Sequence, residues 1–150
     1  MKILVDSDSC PVKDNIIEIS QKYNIEVLFI SSISHFSTKL DIDKSNIIYV
    51  DNSYQSADME LFGRAYKHDI IITDDYGLAS LVLGKECYCI SSRGYIYNKD
   101  NINTLLAQRY ISMKERKRNK RSTKIKKRSE LDDKNFEKSL NNLIKSIIKG

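Results

Sequence analysis

From Asp69 to Leu83 the chain reads DIIITDDYGLASLVL, and this stretch decides the fold. Three consecutive isoleucines leave Asp69–Thr73 apolar on both faces, the pattern of a parallel strand covered by helices on each side. Two acids, Asp74 and Asp75, follow at once, and a short helix is predicted over Tyr76–Leu83. The same strand, acid, helix grammar opens the chain. Lys2–Val5 is a short apolar run closed by Asp6, and Val12, Ile16, Ile19 and Tyr23 then fall at helical spacing behind Pro11, which suits a first turn. Glu26–Ile30 (EVLFI), Asn46–Val50 (NIIYV) and Glu86–Ile90 (ECYCI) read as further strands. Between them Ser56–Lys67 places Met59, Phe62, Ala65 and Tyr66 on one helical face, with Ser56 as its expected cap. The prediction is a three-layer, Rossmann-like α/β domain with a mainly parallel central sheet, over residues 1–112. From 113 onward a basic segment and an amphipathic helix at about Asp132–Lys149 are expected, the helix striped by Phe136, Leu140, Leu143, Ile144, Ile147 and Ile148. That stripe either packs back onto the same domain or forms a homodimer surface.

Charge is unevenly placed. The net charge is +5, yet Lys114–Arg128 alone holds ten basic residues against one acid. The remainder, with 15 basic and 19 acidic residues, is mildly acidic. Four of the seven arginines lie in that block, which favours contact with a polyanion over a merely solvated surface. A single domain is the natural size for 150 residues. No apolar run approaches the roughly 20 residues of a membrane span, and MKILVDSD lacks the form of a secretory signal. Cys10, Cys87 and Cys89 make no disulfide framework. A cytoplasmic protein with free thiols and no membrane partner is expected.

Chemistry is expected where the acids fall. In an open parallel sheet, ligands bind at the carboxyl ends of strands, most often where strand order reverses. Asp6 and Asp8 close the first strand, Asp74 and Asp75 close another, and Asp58 or Glu60 could reach the same crevice from the start of the Ser56 helix. Two carboxylates about 5 Å apart repel by roughly 3 kcal/mol at an effective dielectric near 20, so such a set must take up protons or hold a cation. Oxygen-only ligands suit Mg²⁺ or Mn²⁺, which can orient water and neutralise charge on a phosphodiester. Each acid alone has a simpler explanation, as a helix cap or a charge at a helix N-terminus.

VDSDSCPV (5–12), SADMEL (56–61), ITDDYGLAS (72–80), SRGYIYNKDNINTLL (92–106) and NFEKSLNNL (135–143) together resemble the bacterial YaiI/YqxD family, which has a PIN-like fold. The resemblance covers nearly the whole chain. It implies kinship with PIN-domain nucleases, whose acidic pocket binds Mg²⁺ or Mn²⁺ and cuts RNA. By that resemblance Asp6 matches the first acid, Asp58 the helix acid, and Asp74 and Asp75 the acids after the later strand, while Asp8 and Cys10 belong to the family's own motif. The chain departs from it at Ser91 and Ser92, where Asn-Pro is common, and at Ile125, where Gly-Pro is common.

The expected activity is metal-dependent hydrolysis of RNA, with Asp6, Asp58, Asp74 and Asp75 catalytic and Asp6, Asp8, Asp58 and Asp74 on the metal. Arg93, Arg109, Arg116, Lys117, Arg118, Lys120, Arg121, Lys126, Lys127 and Arg128 would hold the strand. Two other readings fit the same residues. One is a phosphatase of the haloacid dehalogenase type, with Asp6 as nucleophile, Asp8 as acid and Ser31 or Ser32 behind them. The other is an RNA-binding module without catalysis, to which Tyr95 and Tyr97 could add stacking.

Overall fold

The computed structural model describes residues 1–8, 10–33, 46–51, 56–119 and 127–150. Strand β1 (Lys2–Asp6) leads into helix α1 (Lys13–Tyr23) and strand β2 (Glu26–Ser32); β3 (Ile47–Val50), α2 (Ser56–Arg64) and β4 (Ile70–Ile72) follow. Helix α3 (Tyr76–Gly84), β5 (Tyr88–Ile90), the two-residue β6 (Ile96–Tyr97), α4 (Lys99–Asn119) and α5 (Glu130–Lys149) complete the order. The six strands form one sheet in the order β3-β2-β1-β4-β5-β6. Every pairing is parallel except that of β6 with β5. This is a three-layer, Rossmann-like α/β fold whose order reverses between β1 and β4.

Strand alternation sends side chains to two cores. Ile3, Val5, Val27, Phe29, Ile70 and Ile72 point to the face covered by α1 and α5. Leu4, Ile30, Ile71 and Cys89 point to the other face, under α2, α3 and α4. The isoleucine run is buried on both faces because each side has its own helix layer. Phe136, Leu140 and Ile144 of α5 are fully buried against the first face, and Tyr23 and Asn15 of α1 hydrogen-bond Asn141 and Glu137 of α5. The central part of the terminal stripe is thus occupied within the chain, while Ile148 stays 59% exposed.

Four local expectations change. Helix α2 buries Leu61 and Ala65, whereas Met59 and Tyr66 lie outside at 63% and 70% exposure. A nine-residue amphipathic helix carries more than one apolar spacing, and the sheet selects the one it contacts. Ser56 is already helical, so it does not stand ahead of α2 as a cap. Helix α1 begins at Lys13 with Val12 at its N-cap, whose apolar side chain offers no cap, while Asp8 accepts from Ser31 and Ser32 instead. Helix α4 runs unbroken through residues 112 and 113, so the start of the basic segment is its last two turns. No helix among the described residues is long and apolar enough to cross a membrane.

Candidate functional site

Parallel pairing with β2 on one side and β4 on the other brings the carboxyl ends of β1 and β4 side by side. A cleft of about 710 Å³ opens there, floored by Asp6, Thr73, Asp74 and Asp75 and walled by α4. The Thr73 hydroxyl, buried at 2% exposure, donates to Asp6 Oδ2 at 2.9 Å and accepts the Asp75 N–H at 3.0 Å. One hydroxyl therefore fixes the first acid and the turn that carries the last. Burial pushes the Asp6 carboxyl above its ordinary range; the Thr73 bond opposes this, and the charges of Asp8, Asp75 and Asp74 add to it.

The other acids divide into two kinds. Asp74 accepts the Ser92 N–H at 2.8 Å and the Ser92 hydroxyl at 2.6 Å. Ser92 in turn passes its carbonyl to Arg128 Nη2 at 2.7 Å, and Arg128 Nε donates to Asp133 at 2.8 Å. Asp8 accepts the Ser32 N–H at 2.7 Å and the Ser31 hydroxyl at 3.0 Å, so the two serines at the end of β2 hold a carboxylate. Asp75 caps α3 through the N–H groups of Gly77 and Leu78. Its Oδ1 also lies 4.0 Å from Arg109. Asp58, in the first turn of α2, meets the Asp75 carboxyl directly and has its pKa pushed up to about 6, first by burial and then by the charges of Asp75, Asp6 and Asp8.

Asp6, Asp58 and Asp75 thus share one electrostatic environment, with Asp74 and Asp8 tied down at its edges. Among the described residues, no three His, Cys, Asp or Glu side chains are arranged to hold a metal ion as they stand. The donor chemistry nevertheless fits Mg²⁺ or Mn²⁺: the cluster offers carboxylate oxygens only, and Asp58 relieves the crowding by an elevated proton affinity that a cation would replace. Glu60 does not join them; it pairs with Arg64 on the surface of α2. Cys10 lines the cleft, and burial pushes its thiol up to about 11, which disfavours the thiolate. Cys87 and Cys89 are buried free thiols.

The cations are sorted just as sharply. Arg109 and Arg116 line the cleft, with Leu105, Gln108 and Ser112 on the same stripe of α4. The Arg109 guanidinium also stands 5.9 Å from the Tyr76 ring centre. Arg93 is exposed in the turn before β6, near Asp132 at the start of α5. Lys117 is exposed on α4, Arg118 falls in its last turn, and Lys127 is exposed before α5. Arg128 is part of the Ser92 network, and Lys120, Arg121 and Lys126 lie outside the described residues. Tyr97 is buried edge-on against Tyr76, whereas Tyr95 is 47% exposed. The reading from sequence had passed over Thr73 and Ser92 as partners of the acids, and Gln108 and Ser112 as part of a wall. Only the last two carried a readable signal, the 105, 108, 109, 112, 116 spacing of one helical stripe.

A Rossmann-like sheet with carboxylates gathered at its switch point, and arginines facing them, defines a class of α/β proteins with a polar, charge-divided cleft. Within that class the chain belongs to the YaiI/YqxD family: the model described as "Uncharacterized BCR, YaiI/YqxD family" matches residues 4–146. A UPF0178 protein of Oceanobacillus iheyensis is 47% identical over 136 residues, covering 91% of this chain and 93% of its own. UPF0178 proteins of Alkaliphilus oremlandii and Natranaerobius thermophilus are 43% and 40% identical, covering 93% and 99% of this chain and 88% and 96% of theirs. No solved structure matches the chain at a significant level.

Proposed function

We propose that the protein is a metal-dependent ribonuclease acting on phosphodiesters in the β1/β4 cleft. The observation that supports this best is the opposition, within one 710 Å³ space, of an acidic floor and a wall bearing Arg109 and Arg116. An acidic floor alone repels a phosphodiester and an arginine wall alone only binds one. Together they suit a cation below the phosphate and guanidinium groups beside it.

In this reading Asp6, Asp58 and Asp75 hold Mg²⁺ or Mn²⁺, with Asp74 and Asp8 keeping the edges of the cleft in place. The metal supplies charge neutralisation and orientation of water. Thr73 keeps the Asp6 carboxylate aimed into the cleft. Arg109, 4.0 Å from Asp75, exchanges part of that contact for a phosphate oxygen. The basic remainder of the segment adds sequence-independent attraction, which steepens salt dependence by about 0.7 per contacted phosphate on a single strand.

The test is incubation of purified protein with single-stranded and structured RNA, with and without Mn²⁺, beside Asp6→Asn and Asp75→Asn. Metal-dependent cutting by the wild type alone is the expected result. Equal loss of RNA in all three would assign the activity to a contaminant. A hydroxylamine-sensitive phosphoryl adduct on Asp6 would replace this reading with a phosphatase, and metal-independent binding without cutting would leave an RNA-binding module.

A further inference from the structure

We infer that α4 carries two phosphate subsites, one at Arg109 and one at Arg116, so that the preferred substrate is a single strand reaching at least three nucleotides along the helix. The inference rests on the nuclease reading for the place of the scissile phosphate, and goes beyond it in assigning a substrate length and a second contact point.

The argument begins with helical geometry. Leu105, Gln108, Arg109, Ser112 and Arg116 recur at intervals of three and four, so they form one stripe, and all five face the cleft. Seven residues separate the two arginines, which is about 10.5 Å along the axis at 1.5 Å per residue. Arg109 is fixed near the acids by its 4.0 Å approach to Asp75 and by Tyr76 beneath its guanidinium. Arg116 is rooted about 10 Å farther along the helix axis, on the same wall, where it can serve a second phosphate. A stacked strand advances about 3.4 Å per nucleotide, so the span corresponds to roughly three nucleotides. Gln108 and Ser112 supply neutral hydrogen-bonding groups along the same wall, between and beside the cations.

Sorting within the basic segment supports the same assignment. Helix α4 also carries Lys114 and Lys117, and neither is among the cleft-lining residues. Lys114 stands over the Tyr110 ring, on the side of the helix turned from the cleft. Arg128 is committed to Ser92 and Asp133. Total positive charge would attract any polyanion from any direction; two arginines on one stripe discriminate by length.

The experiment measures binding and Mn²⁺-dependent cleavage of fluorescent single-stranded oligoribonucleotides of two, three, four and six nucleotides. Wild type, Arg109→Gln, Arg116→Gln and a charge-matched Lys22→Gln control are compared, Lys22 lying in the last turn of α1 and outside the cleft lining. Expected is a step of about 5-fold in affinity between two and four nucleotides, lost in Arg116→Gln and kept in Lys22→Gln, while Arg109→Gln weakens all lengths alike. The Arg116→Gln salt slope falls by about 0.7 for the longer strands only. A smooth length dependence, or a step that survives Arg116→Gln, overturns the two-subsite assignment even if cleavage is real. If no oligonucleotide is cut, the nuclease reading fails by itself, and the binding step with its loss in Arg116→Gln still decides the subsites.

Discussion

Asp74, which lines the cleft, and Asp58, which meets Asp75 from the first turn of α2, are carboxylates of one cluster held in opposite ways. Asp74 receives two short hydrogen bonds from Ser92, so its charge is shared with neutral donors. Asp58 is partly desolvated and faces another carboxylate, and its proton affinity rises, first through burial and then through that charge. The comparison teaches that an acidic cluster is not a single electrostatic object. Some members are tied into the scaffold by hydrogen bonds, while others meet one another with their charges less compensated.

The sharpest way to break this comparison is through activity. If Asp58 and Asp75 form the loaded pair, Asp58→Asn and Asp75→Asn lower Mn²⁺-dependent hydrolysis by roughly 10²–10³-fold, whereas Ser31→Ala, which removes only one support of Asp8, changes it far less. Steady-state cleavage rates decide this, and equal losses in all three would merge the two kinds of acid. Next in size is Gly94→Ala. Gly94 has a φ of +89°, and a Cβ there would sit 2.7 Å from the Asn135 carbonyl of α5. The substitution should cost about 2–3 kcal/mol in urea unfolding, displacing the loop that carries Ser92. Its damage to the site should therefore resemble that of Asp74→Asn rather than Asp58→Asn.

Stability separates the two acids most directly. Asp74→Asn should cost about 1–2 kcal/mol, since it weakens the two hydrogen bonds from Ser92. Asp58→Asn should do the reverse in metal-free protein, raising Tm by about 1–3 °C after allowance for solvent screening. The smallest effect is its pH dependence. Asp58 binds its proton up to about pH 6 when folded against 3.8 when unfolded, so its contribution is most favourable below 3.8 and is lost as pH rises through 6. Melting curves of wild type and Asp58→Asn should coincide near pH 4 and diverge by pH 7, with the variant higher. Coincidence at both pH values would mean that neither burial nor the neighbouring acids raise the Asp58 proton affinity.

Much of this was readable in the chain. An isoleucine triplet followed by two acids forces a two-sided strand ending at a polar edge, and the terminal stripe from Phe136 to Ile144 demanded a sheet to cover. What escaped was whatever depends on partners far apart in sequence. Ser92 lies 18 residues from Asp74 and 36 from Arg128, and no local pattern announces either bond. Arg128 read as one more cation in a basic run, although its side chain is a tie between the β5–β6 turn and α5. Strand β6 is only two residues long and exists through its antiparallel pairing with β5, so composition could not reveal it. The face of α2 went astray for the same reason: the sheet, not the helix, chose between Met59 and Leu61.

Helix α5 has one further meaning. Phe136, Leu140 and Ile144 are each fully buried, and at about 1.5–3 kcal/mol apiece they rival the whole stability of an ordinary domain. A protein shortened after α4 would lose that cover from one side of its sheet, and with it the arginine that anchors Ser92. The tail is a keystone, so any attempt to trim this molecule to the part that carries the cleft would dismantle the part it meant to keep.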